Sequence, residues 1–180
     1  LRRKVYKMDI QVNRLERSVR KRVITHLSTS RGHINYCLLM MSLVKDAERI
    51  GDYLKNITEV SELGGVAIPE GDLHDELSDL IGVAHMLFEE TPKILESQDT
   101  ESAMQAIEEG RAANKRCDKL LVELAKSDLS ASQTTSMVLL TRFYKRIGAH
   151  LANLLSSIVM PLHKLDYYDE KELVVPEDVR

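Results

Sequence analysis

Apolar residues recur at spacings of three and four along most of this chain, and five helices follow from that period. In residues 1–27 the stripe is Val5, Met8, Val12, Leu15, Val19, Val23 and Leu27, with charges on the other faces. Ser28-Thr29-Ser30-Arg31-Gly32 interrupts it. A second helix over about 34–63 carries Ile34, Leu38, Met41, Val44, Ala47, Leu54 and Ile57, and Gly64-Gly65 is a strong stop. A third, about 71–97, starts near Asp72 as a plausible cap. Turns at Ser97-Gln98-Asp99-Thr100 and Ser127-Asp128-Leu129-Ser130 bound a fourth helix, about 101–127, and a fifth, about 131–163. The tail from residue 164, with Leu173-Val174-Val175 and Pro176, reads as extended or docked.

Composition agrees with an all-α fold. The 180 residues are 43% hydrophobic and hold only 8 Gly, 4 Pro, 2 Phe and no Trp, too few turn residues and aromatics for a sheet-rich domain. No apolar run reaches the ~20 residues of a membrane span, and no apolar stretch behind Leu1-Arg2-Arg3-Lys4 makes a signal peptide. Absence of an initiating Met predicts a natural start upstream. Cys37 and Cys117 lie on apolar stretches without a CxxC pair and read as buried thiols.

Charge is uneven. Residues 1–22 carry nine Lys/Arg against Asp9 and Glu16, whereas 59–109 carry fourteen Asp/Glu against Lys93. Without a zinc module, zipper or interleaved aromatics, the basic stretch does not make a nucleic-acid binder, and the acidic middle would repel phosphates. The six histidines form neither HxxxH nor HExxH; His150 reads as structural or surface-facing. No Gly-rich phosphate loop and no nucleophile–base arrangement is present, so the chain is not expected to be an enzyme. Lack of Glu-x-x-His also excludes a bundle di-metal oxidase.

An internal repeat is visible. Arg49-Ile50-Gly51 returns as Arg146-Ile147-Gly148, 97 residues on, with Leu43/Leu140, Leu54/Leu151 and Asn56/Asn153 in step. Upstream, Asp9 and Asn13 align with Asn114 and Asp118 at an offset of 105, which leaves an eight-residue difference to the connecting loop. Gly51 and Gly148, costly inside a helix, suggest close helix approach.

Chemistry concentrates in Lys45-Asp46-Ala47-Glu48-Arg49-Ile50-Gly51-Asp52. Glu48 and Asp52 are one turn apart on one face, and Asn56 extends the row. Two like charges beside an apolar stripe repel, and a cation relieves that. Asp9 and Asn13 share the spacing on the preceding helix and complete an oxygen-rich cluster suited to Mg, Mn, Fe or Zn.

Glu48-Arg49-Ile50-Gly51-Asp52 followed by Asn56-Ile57 resembles the signature of PhoU domains, over nearly the whole chain to about residue 163. The resemblance implies two pseudo-repeated antiparallel three-helix bundles: repeat 1 in 1–64, lacking its first helix, repeat 2 in 65–163, and a tail in 164–180. It implies a divalent or trivalent metal ion at Glu48, Asp52, Asp9 and Asn13. Repeat 2 departs from the pattern, with Lys145 and Ala149 at the motif positions, so Lys145 is expected to pair with Asp118 instead. By the same resemblance the chain is a cytoplasmic regulator of phosphate uptake and phosphate-starvation signalling. Its partners would be a phosphate ABC transporter ATPase and a sensor histidine kinase, and it would be peripheral to the membrane through them. The groove left by the missing helix predicts a homodimer. The alternative is a cytosolic PhoU-like domain of a larger membrane protein such as a sodium–phosphate cotransporter, with Arg2, Arg3 and Lys4 as juxtamembrane charges.

Overall fold

The computed structural model describes residues 2–30, 32–60 and 68–165. The Gly64-Gly65 stop and the tail beyond Leu165 lie outside the described residues. Among those described, the chain is all-helical: α1 (Arg2–Thr29), α2 (Ile34–Val60), α3 (Asp72–Ser97), α4 (Thr100–Lys126) and α5 (Ala131–Val159), then a short 3-10 turn, Leu162–Lys164. Helix α5 stops four residues before its expected end. Pro161 disfavours the helical conformation for the residue before it, and Met160 is extended.

Local chemistry sets the other ends. Ser130 and Gln133 form a reciprocal capping box at the start of α5, and the Asp99 side chain accepts from the Glu101 N–H at α4. Asp72 does not cap α3; Gly71 takes that position without a side-chain bond, and Asp72 is the first helical residue.

Helices α3, α4 and α5 pack on one another, α2 lies against α5, and α1 lies against α2. One core, between α2–α5, holds Ile50, Leu87, Ile94, Ile107, Ile147, Leu151 and Leu155. A second joins Leu77, Leu80, Cys117, Leu120, Leu124 and Met137 at the other end of the α3–α4–α5 bundle. Both cysteines are buried free thiols, and burial pushes Cys117 up to about 11.

The first hairpin differs from its expected packing. Of the α1 stripe only Val23 is buried; Met8, Leu15 and Leu27 are exposed, Leu15 by 66%. Leu120, its counterpart at the 105-residue offset, is 1% exposed, within the core that α3 contributes to. On α2, Ala47 and Leu54 are exposed, and the buried set is Cys37, Asp46, Ile50 and Val60. Gly51 and Gly148 do not need to be glycine for space. A methyl group at either would approach Val12 or the Asn114 side chain no closer than 3.7 Å, an ordinary contact.

Arg116 on α4 clasps α3 by donating to both Glu76 oxygens at 2.8 Å and to Asp79 at 2.6 Å. Its hydrogen bonds hold the Glu76 carboxyl below its ordinary 4.5, against the opposing effect of burial. A depressed folded pKa contributes stability that is full above the ordinary Glu range and is lost as pH falls through the folded value. Because the pair is partly solvated, that contribution is under about 1 kcal/mol. Urea unfolding of Glu76→Gln against wild type should show a gap at pH 7 that closes in acid; a gap independent of pH removes the pair from the account.

Candidate functional site

The sequence-marked carboxylates meet at the seam where α1 and α2 run antiparallel. Asp9 and Asp52 face each other across it, and Lys55 lies between them. Its Nζ is 3.1 Å from Asp52 Oδ1 and 3.4 Å from both Asp9 oxygens. Burial alone would lower the Lys55 ammonium, but the Asp52 and Asp9 carboxylates outweigh it and hold it above its ordinary value. It is charged at any physiological pH.

Farther along the seam Glu48 pairs with Lys45, and Arg49 reaches Asp52 at 3.5 Å. The Glu48 side chain is 12% exposed, on the face of α2 turned to α1. The sequence reading missed Glu16. It is one of two buried residues on α1, 2.7 Å from Arg20 and 3.9 Å from Lys45. Asp9, Asn13, Glu16 and Arg20 are spaced by four, three and four, so continuing the row that Asp9 and Asn13 begin would have found it. Asn13 is half-buried in this row and its carbonyl oxygen accepts from Arg17 Nε at 3.2 Å. Among the described residues its side chain joins none of the ion pairs. At the open end of the hairpin Tyr6 donates to Glu59.

The seam is therefore a row of alternating charges. Asp9, Asp52, Glu48 and Glu16 alternate with Lys55, Arg49, Lys45 and Arg20. Among the described residues no three His, Cys, Asp or Glu side chains converge closely enough, as they stand, to hold a metal ion. In donor chemistry the set nevertheless fits one: hard carboxylate oxygens, two of them already arranged about a positive charge. A metal at Asp9 and Asp52 has to displace Lys55, whose four-carbon stem permits it.

In the second pair of helices, Lys145 donates to Asp118, as its replacement of the motif glutamate led us to expect. A cationic side chain thus fills each seam, by substitution here and by the additional Lys55 there.

A second polar cluster was not anticipated. Asp46, 7% exposed, projects from the α2 face opposite the seam and accepts from His150 Nδ1 at 2.6 Å and Asn153 Nδ2 at 3.1 Å, both on α5. Tyr53 stacks on the His150 ring at 5.7 Å between centroids. These four residues join the first hairpin to the three-helix bundle.

The PhoU domain family model matches residues 1–61, which hold α1, α2 and every seam residue from Asp9 to Glu59. This stretch is similar to PhoU domains. The matched stretch contains Asp46 as well, while that residue's partners, His150 and Asn153, lie beyond the match. Over a longer span the chain is similar to the phosphate-specific transport system accessory protein PhoU homolog 1 of Thermotoga maritima. Identity there is 23% over 169 residues, covering 88% of this chain and 72% of that protein. No solved structure matches significantly. Among the described residues, no helix is long and apolar enough to cross a membrane.

Proposed function

We propose that this protein regulates phosphate uptake and phosphate-starvation signalling through contacts made by its helix faces, without turnover. The observation that carries the reading is the PhoU match to the α1–α2 hairpin, whose outer apolar face, Met8 and Leu15, is open to a partner. Similarity to an accessory protein of phosphate-specific transport supports the physiological process. On this reading the protein is cytoplasmic, and a phosphate ABC transporter ATPase and a sensor histidine kinase are its partners. The open face also serves homodimerisation.

The mechanism follows from the stiffness of the scaffold. Helices α2 and α5 fix the hairpin at the Asp46 cluster, so a partner that grips α1 meets a surface of set orientation. When bound, a divalent or trivalent cation such as Fe, Zn, Mn or Mg supplies positive charge to the seam. Glu48, Asp52, Asp9 and Asn13 would hold it, with the Lys45 and Lys55 ammonium groups displaced toward solvent. Holding α1 to α2 in this way stiffens the contact face.

Crosslinked pull-down from phosphate-replete native membranes, read by mass spectrometry, tests the reading. Recovery of a phosphate-transporter ATPase or a sensor kinase supports it. Finding the chain covalently continuous with membrane-spanning peptides of a phosphate carrier would replace it with a transporter's regulatory domain. For the metal, titration calorimetry should show divalent-ion binding that Glu48→Ala with Asp52→Ala abolishes. Binding unchanged in that variant moves the ion elsewhere.

A further inference from the structure

The turn of the first hairpin carries a patch that neither the seam nor the Asp46 cluster uses. From Arg17 to Lys45 the sequence has no Asp or Glu, while Arg17, Arg20, Lys21, Arg22, Arg31 and Lys45 are all basic. Arg20 and Lys45 are turned toward Glu16, but Arg17, Lys21 and Arg22 are exposed. Among them stand Ile24, Leu27, Ile34, Tyr36 and Leu38, between 36% and 61% exposed.

These apolar side chains do not form one groove. A hollow of about 600 Å³ is lined by Val19, Arg22, Val23, His26, Tyr36 and Met40 among others, and Ile24, Ile34 and Leu38 stand outside it. A partner helix would collect its anchors on one face. Large apolar groups spread around the end of a hairpin, with cations and no carboxylate, match a different surface: the headgroup region of an anionic bilayer. The carboxylates of α2 begin at Asp46 and lie toward the other end of a helix about 40 Å long. There Asp9, Asp52 and Glu59 accompany Arg2, Arg3, Lys4 and Lys7, so the turn is the end that presents cations without carboxylates to an anionic plane.

We propose that the α1–α2 turn docks this protein directly on an anionic membrane surface. Ile24, Ile34, Tyr36 and Leu38 enter the boundary between headgroups and acyl chains, and Arg17, Lys21 and Arg22 meet the lipid phosphates. Such docking goes beyond recruitment through partner proteins, and it needs neither a metal nor a transporter.

Co-sedimentation of the full chain with vesicles tests it, using phosphatidylcholine alone against a mixture about one third phosphatidylglycerol. Partitioning onto the anionic vesicles should exceed the neutral by tenfold or more and collapse in about 0.5 M salt. Ile24→Ser with Leu38→Ser, and separately Lys21→Glu with Arg22→Glu, should each lose about tenfold with unchanged helical circular dichroism, since all four side chains are exposed. Lys4→Glu with Lys7→Glu, at the far end of α1, should retain most of the binding. Equal binding to both vesicle types overturns the proposal, as does an equal loss in the Lys4/Lys7 variant. A photocrosslinker at Tyr36 that captures a protein, while pure anionic vesicles bind nothing, assigns the patch to a protein partner and overturns it as well.

Discussion

Asp46→Ala is expected to lower the stability of the fold by about 3 kcal/mol, the range found when one member of a buried charged cluster is removed. The variant leaves His150 Nδ1 and the Asn153 amide, both on α5, facing α2 without their shared acceptor. Both side chains are only partly exposed, His150 by 19%, so the loss exceeds that of a fully exposed pair. For a chain of this length it corresponds to a fall in the thermal midpoint of about 6–12 °C. A double-mutant cycle with His150→Ala should return a coupling of about 1 kcal/mol or more. A midpoint within about 2 °C of wild type would show that the cluster is not what holds the hairpin to the bundle.

The second large effect is expected at Lys55. Lys55→Met keeps an apolar stem of similar length and removes the ammonium between Asp9 and Asp52. Without a cation the two carboxylates then repel across the seam, costing about 1–2 kcal/mol. The same change frees the place a metal must take. In the variant, a divalent ion at a hundredfold excess over its dissociation constant should restore about 2.7 kcal/mol, a gain the wild type shows less of because Lys55 competes. Thermal melts of both proteins, with and without added Mn or Zn, measure this. If the variant is no less stable than wild type and its midpoint ignores the ion, Lys55 does not occupy a cation's place.

Much of this architecture can be read from local pattern, and the exceptions are instructive. Helix periods and caps are properties of a few neighbouring residues, which is why the start of α5 at Ala131 falls where Ser130 and Gln133 place it. The Glu48–Asp52 row is equally local. Asp46 is different: it lies two positions before Glu48, on the opposite face of α2, and its partners are over a hundred residues away. No spacing rule connects them; only the packing of α2 on α5 does. Leu15 teaches the converse. Its stripe has the same period as the buried stripe of α4, but whether a helix covers such a stripe is decided by the tertiary neighbours. Glu16 was within reach, one step along the row that Asp9 and Asn13 begin.

Among the described residues helix α1 makes its substantial packing contacts with α2 alone, and of its 28 residues only Glu16 and Val23 are buried. Its departure would therefore expose almost nothing of the two hydrophobic cores. In hydrogen exchange such an element opens as a unit of its own, at a free energy well below that of global unfolding. Amides of α1 should lose protection first and together, while those of α4 and α5 persist. Whatever binds the seam or the turn then acts on that opening equilibrium, and the protein answers its ligands by how long one helix stays closed.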